Sequence, residues 1–194
     1  MLDVAVIIAS IREGGTGTMV GRWFLERIER RADMNVDVID LGRTPLPPLQ
    51  PARCGDTADA ARGLAARIGA ADGFVVVTPE YNHAYPAALK LAIDSVRHEW
   101  AAKPVGFVSY GGRSGGLRAV EQLRLVFAEL HVVSLRDTVS FHLERDRFDA
   151  AEPDGADSRG GTGGADDAAK VMLDHLAWWA TTLREGRATR PYIR

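Results

Sequence analysis

Three short segments carry the residue types and spacings that ligand chemistry needs. The first is Ser10-Ile11-Arg12-Glu13-Gly14-Gly15-Thr16-Gly17-Thr18, which joins hydroxyls, one guanidinium and three glycines just ahead of a helical pattern. Free backbone N–H groups at a helix start attract an anion, and Arg12 adds a planar fork suited to phosphate. A plain glycine turn capped by Thr16 or Thr18 has the same composition. The second segment is Pro79-Glu80-Tyr81-Asn82-His83. It offers an aromatic face and an amide that both donates and accepts, which suits a flat heteroaromatic ring. Asn82 is also a good cap for a following helix. The third is Ser109-Tyr110-Gly111-Gly112-Arg113-Ser114-Gly115-Gly116, whose four glycines let backbone lie against a ligand edge or simply make a tight connection.

These segments are positioned by the elements around them. Continuous apolar runs at Asp3–Ala9, Phe74–Thr78 and Val105–Ser109 read as strands buried on both faces, with weaker strands at Val36–Leu41 and Val132–Leu135. Helical stripes lie between them: Val20, Trp23, Phe24 and Ile28; Ala61, Leu64 and Ile68; Leu89, Ile93 and Trp100 within an expected Pro86–Trp100 helix; Val120, Leu123 and Phe127; Met172, Leu176 and Trp179. Strict β-α alternation predicts an α/β class, a three-layer α/β/α arrangement around an open five-stranded parallel sheet, for which the order 2-1-3-4-5 is expected. In that order strands 1, 3 and 4 are neighbours, so all three segments sit on one rim, where such sheets bind ligands.

A phosphate loop beside two planar-group loops matches a mononucleotide with a phosphate, a linker and a flat ring, and FMN is the candidate. Better-known alternatives fail. A dinucleotide fingerprint would need Gly where Val20 stands, and a P-loop needs a Lys, of which none precedes position 90.

At this point the chain resembles the NADPH-dependent FMN reductase family of flavodoxin-like quinone, azo-dye and chromate reductases. The motif Pro79-Glu80-Tyr81-Asn82 followed by Pro86-Ala87-Ala88-Leu89-Lys90 carries most of the likeness. Lys103-Pro104-Val105 leading to Ser109-Tyr110-Gly111-Gly112 and Ser10-x-Arg12 carry the rest. The sequence departs from the family pattern at Ala9, Gly14-Gly15 and Leu91 without losing a motif. The resemblance implies non-covalent FMN. Ser10, Arg12, Thr16, Gly17 and Thr18 would hold its phosphate. Pro79, Glu80, Tyr81 and Asn82 would lie against the ring and ribityl chain, and Ser109, Tyr110, Gly111, Gly112 and Ser114 would form the second ring-side loop. It further implies a homodimer or homotetramer.

The expected activity is ping-pong hydride transfer from NADPH or NADH to FMN and on to a small-molecule electron acceptor. The flavin carries the chemistry, so no catalytic side chain is assigned; Tyr81, Tyr110 and Trp100 are candidates to line its open face. A flavin-binding electron carrier without nicotinamide activity is the alternative, but carriers are strongly acidic. This chain of 194 residues has 24 basic and 26 acidic side chains, a net charge of −2. That balance also argues against nucleic acid as a partner.

Other features bound the reading. Length suits one domain, and hydrophobic residues at 46% suit a globular core. A single cysteine, Cys54, rules out an intramolecular disulfide. No apolar run spans a bilayer, and residues 1–10 show no signal-peptide pattern, so no membrane and a cytoplasmic location are expected. Asp94 and His98 would sit one turn apart, but too few partners accompany them for a metal site. Residues 42–57 are Pro-rich and expected to be extended. Residues 149–167 are acidic and Gly-rich, and a mobile insert is expected there. The basic tail 184–194 is expected to be solvated, and Trp178 and Trp179 to pack on the sheet or a partner.

Overall fold

A computed structural model describes residues 1–12, 14–44, 46, 56–143 and 163–192. The elements follow in the order β1 (Leu2–Ile8), α1 (Thr16–Ile28), β2 (Met34–Asp40), α2 (Asp56–Ala70), β3 (Gly73–Pro79), α3 (Ala87–Asp94), a 3-10 turn (His98–Trp100), β4 (Pro104–Gly111), α4 (Leu117–Glu129), β5 (Val133–His142) and α5 (Gly163–Thr189). Every strand pair is parallel and the sheet order is β2-β1-β3-β4-β5, as expected.

The central strands read as unbroken apolar runs because both faces are covered. All of β3 and β4 is buried. Alternate residues of β1 serve opposite layers. Ala5 and Ile7 pack with Leu64 and Ile68 of α2, Leu89 and Ile93 of α3, and Leu123 and Phe127 of α4. Val4 and Val6 pack with Phe24 and Ile28 of α1 and Met172 and Leu176 of α5. Truncating one such aromatic, Phe127 for example, removes about 3–5 kcal/mol.

Several expectations change. The fifth strand, expected over Val132–Leu135, runs on to His142. A register irregularity opposite Val105 and Phe107 absorbs the charged pair Arg136-Asp137, after which Thr138, Val139 and Phe141 resume pairing. The Pro86–Trp100 helix breaks after Asp94. Ser95 Oγ donates to the Leu91 carbonyl at 2.7 Å and competes with continuation of the helix. Trp100 then turns into the core. It is 1% exposed and meets Phe74 and Phe127 edge-on, so it does not line an open ligand face. Asp94 pairs with Lys90 instead of His98, and no cluster of metal-binding type occurs among the described residues.

The basic tail is docked rather than solvated through Arg187, because α5 continues to Thr189. Arg184 Nη1 donates to Asp72 Oδ2 at 3.0 Å and to the Met1 carbonyl, and Arg187 donates to the Ala102 carbonyl. Trp178 and Trp179 do not pack on the sheet; they stack edge-to-face on the outer side of α5, 61% and 36% exposed. Residues 163–167, assigned by composition to an insert, form the first turn of α5. Residues 149–162, Cys54 and most of the Pro-rich connection lie outside the described residues. No described helix is long and apolar enough to cross a membrane.

Candidate functional site

The C-terminal ends of β1, β3 and β4 open onto one cleft of about 310 Å³. Ser10, Arg12, Gly15, Thr16 and Gly17 line one side. Pro79, Glu80, Tyr81, Tyr110, Gly111, Gly112 and Leu143 line the other. The volume lies at the small end of the range for small-molecule sites.

The first wall is the start of α1. Its N-cap is Gly15, no side chain caps it, and no acid stands in its first turn. Helix geometry leaves the N–H groups of Thr16 and Gly17 without an intrahelical acceptor. Ser10 Oγ accepts from the Arg12 backbone at 3.4 Å, which curls the loop towards the helix. Gly17 is required by close approach. A Cβ there would stand 2.5 Å from the Tyr110 hydroxyl and 2.6 Å from Ser10 Cβ. So α1, β1 and β4 converge on the Gly17 Cα.

Tyr110 is the unusual member. It is 4% exposed, and its hydroxyl makes no geometric hydrogen bond to any described residue. Burial pushes the phenol up to about 12, with nearby Ser10 pulling the other way, so it stays a neutral donor. An orphaned buried hydroxyl is costly and implies an absent partner. With Ser10, two helix N–H groups and Arg12 beside it, that donor set fits an anion such as a phosphate.

The second wall is braced from behind. The Glu80 backbone N–H donates to the Tyr110 carbonyl at 3.0 Å. Its carboxylate accepts from Ser114 Oγ at 2.6 Å, from the Arg118 backbone at 3.2 Å and from Arg118 Nη1 at 3.1 Å. Burial opposes ionisation of Glu80, but these donors outweigh it and hold the carboxyl below its ordinary value. The carboxylate thus caps α4 and ties the β3 and β4 loops together. Tyr81 and Ala84 exchange two backbone hydrogen bonds, and Asn82 and His83 turn between them with φ of +48° and +73°. Asn tolerates that left-handed backbone. Gln122 on α4 holds the tip by donating to the His83 carbonyl. Ser109 Oγ donates to the Gly115 carbonyl at 2.8 Å, and Gly116 has φ of +86° with no room for a Cβ against Ser109.

Of the fourteen site residues expected from sequence, ten line the cleft: Ser10, Arg12, Thr16, Gly17, Pro79, Glu80, Tyr81, Tyr110, Gly111 and Gly112. The other four do not. Thr18 is exposed on α1 and its N–H returns to the Gly15 carbonyl. Asn82 is exposed and makes the turn, while the N-cap of α3 is Pro86. Ser109 and Ser114 are spent on the bracing just described. Sequence reasoning left out Gly15 and Leu143. Leu143 donates its N–H to the Gly111 carbonyl, which extends β5 pairing to the cleft. The alternation Val139, Phe141, Leu143 is the signal that points to it.

Residues 2–146 match the family described as NADPH-dependent FMN reductase, and the chain belongs to that family. An NAD(P)H-dependent FMN reductase of Schizosaccharomyces pombe is 38% identical over 119 residues, 58% of this chain and 60% of that protein. The chain therefore spans three fifths of the length of that relative. A quinone reductase of Escherichia coli is 35% identical over 141 residues, 69% of this chain and 74% of that protein. Among solved structures, the flavoenzyme NAD(P)H:(acceptor) oxidoreductase FerB of Paracoccus denitrificans superposes with a TM-score of 0.71 at 21% identity. It covers 94% of this chain and 98% of that one, a likeness of fold.

Proposed function

We propose that this chain is an FMN-dependent NAD(P)H:acceptor oxidoreductase whose acceptor is a small flat molecule of the quinone, flavin or azo type. One observation carries the reading. The uncapped start of α1 and the orphaned Tyr110 hydroxyl meet in the same cleft as the β3 and β4 loops. Family membership and relatives that are NAD(P)H-dependent FMN reductases and quinone reductases support it.

Bound FMN supplies two-electron redox chemistry between a nicotinamide and an acceptor. The chain's own residues bind and orient. Ser10, Arg12, the N–H groups of Thr16 and Gly17, and the Tyr110 hydroxyl would hold the phosphate. Pro79, Tyr81, Gly111, Gly112 and Leu143 would bound the ring side. Glu80, Ser114, Ser109 and Asn82 would fix the loops. Glu80 is the one carboxylate lining the cleft among the described residues, and three donors occupy it. No general acid or base is therefore assigned. A nicotinamide and an acceptor that share this cleft in turn would give ping-pong kinetics.

Steady-state rates with NADH and NADPH against quinone, free flavin and azo acceptors test this. Parallel double-reciprocal lines are expected. Flavin binding without turnover of any acceptor would instead make the chain an electron carrier, a reading its net charge of −2 does not favour. The resemblance further supports a homodimer or homotetramer, which light scattering tests.

A further inference from the structure

The Arg12 guanidinium lies over the Tyr81 ring, 4.5 Å from ring atom centroid to central carbon. The two residues come from different loops, one after β1 and one after β3, and both line the cleft. Arg12 side-chain nitrogens donate to no described residue, and no described carboxylate pairs with it. A stacked guanidinium engages the ring through its flat face and keeps its N–H edge for a planar oxyanion. An unstacked arginine on an exposed loop would lose more rotamer freedom on binding the same anion.

We propose that Tyr81 is a positioning residue for Arg12. The ring is a shelf that holds the guanidinium at the phosphate end of the cleft, so the β3 loop contributes to phosphate recognition as well as to the ring side. This rests on the FMN reading given above. It differs from a role for Tyr81 against the flavin ring, because a shelf for Arg12 matters only to a ligand that carries a phosphate. Selection of FMN over riboflavin is then set by two loops acting together.

The test is equilibrium titration of the flavin-free protein with FMN and with riboflavin, followed by flavin fluorescence. Arg12→Ala is expected to weaken FMN at least about tenfold and leave riboflavin within about twofold, as for loss of a charge-assisted pair. Tyr81→Leu is expected to lower the FMN-to-riboflavin preference by about two- to fivefold, the range for a stacked cation at an accessible site. Tyr81→Phe keeps the ring and is expected to retain the preference. In the Arg12→Ala background, Tyr81→Leu is expected to leave the ratio where it is. A Tyr81→Leu variant that loses FMN and riboflavin equally, or neither, overturns the shelf. So does an undiminished effect of Tyr81→Leu in the Arg12→Ala background. Absence of binding of either flavin to the unmodified protein overturns the cofactor reading instead.

Discussion

Gly17→Ala perturbs the point where three elements meet. The added methyl would stand 2.5 Å from the Tyr110 hydroxyl, 2.6 Å from Ser10 Cβ and 2.9 Å from Ser10 Oγ. Tyr110 is buried at the end of β4 and Ser10 is half-buried just beyond β1, so relieving the contact shifts one of them at a cost. Overpacking of this kind costs about 1–3 kcal/mol. Alanine is the better helix former by about 1 kcal/mol, which offsets part of it in the first turn of α1. The net expectation is a loss of up to about 2 kcal/mol, or up to roughly 8 °C in melting temperature for a domain of this size. The methyl also fills the space beside the α1 N–H groups, so FMN affinity should fall at least about tenfold. Gly63→Ala is the matched control. Gly63 lies in α2 with no heavy atom within 4 Å of the new methyl. The same chemical change there should stabilise by about 0.5–1 kcal/mol and leave FMN binding alone. Thermal melts of both variants without ligand, with FMN titrations alongside, decide it. A Gly17→Ala protein that melts no lower than the unmodified chain and binds FMN as well refutes the convergence.

Three further outcomes follow from the same geometry. Tyr110→Phe removes an orphaned buried hydroxyl, so the ligand-free melt should not fall, while FMN binding weakens about tenfold if the hydroxyl donates to the phosphate; unchanged FMN affinity would remove Tyr110 from the donor set. Glu80→Gln should cost about 1–2 kcal/mol at neutral pH. The folded carboxyl sits below its ordinary value, so that contribution is present above the ordinary value and fades as pH falls through the folded one; denaturant melts at pH 7 and pH 3 should show the gap closing. Lys103 is buried and donates to the Ile68 and Gly69 carbonyls at the end of α2. Burial, helped by Arg187, lowers it from 10.5 to about 8 against the pull of Asp72 and Glu99. The unfolded chain then holds more protons between those values, so this group makes stability rise with pH across that window, and Lys103→Met should flatten the rise.

The inner strands were readable because β1, β3 and β4 are covered on both faces and show this as apolar runs. β5 lies at an edge, alternates, and is interrupted by Arg136-Asp137, so only its first few residues stood out. The break in α3 falls at Ser95, whose hydroxyl and backbone N–H both return to the Leu91 carbonyl, a contact that residue type alone does not announce. The site was legible as three segments because all three follow neighbouring strands and fall on one rim, although each cluster alone also suits an ordinary turn. Roles inside those segments were not. Glu80 and Ser114 stand 34 residues apart and form a hydrogen bond, a brace that neither segment announces by itself. Tyr110 read as a ring-side aromatic, yet its hydroxyl reaches the start of α1, a direction only packing against Gly17 and Ser10 sets.

The central claim is that this cleft holds FMN for reduction by a nicotinamide. Anaerobic mixing of the FMN-loaded protein with NADPH or NADH, with the visible flavin absorbance followed through time, tests it most directly. Rapid bleaching, and recovery of the colour on adding a quinone, is the expected result. A protein that retains no FMN after gel filtration, or whose bound flavin stays coloured with both nicotinamides, contradicts it.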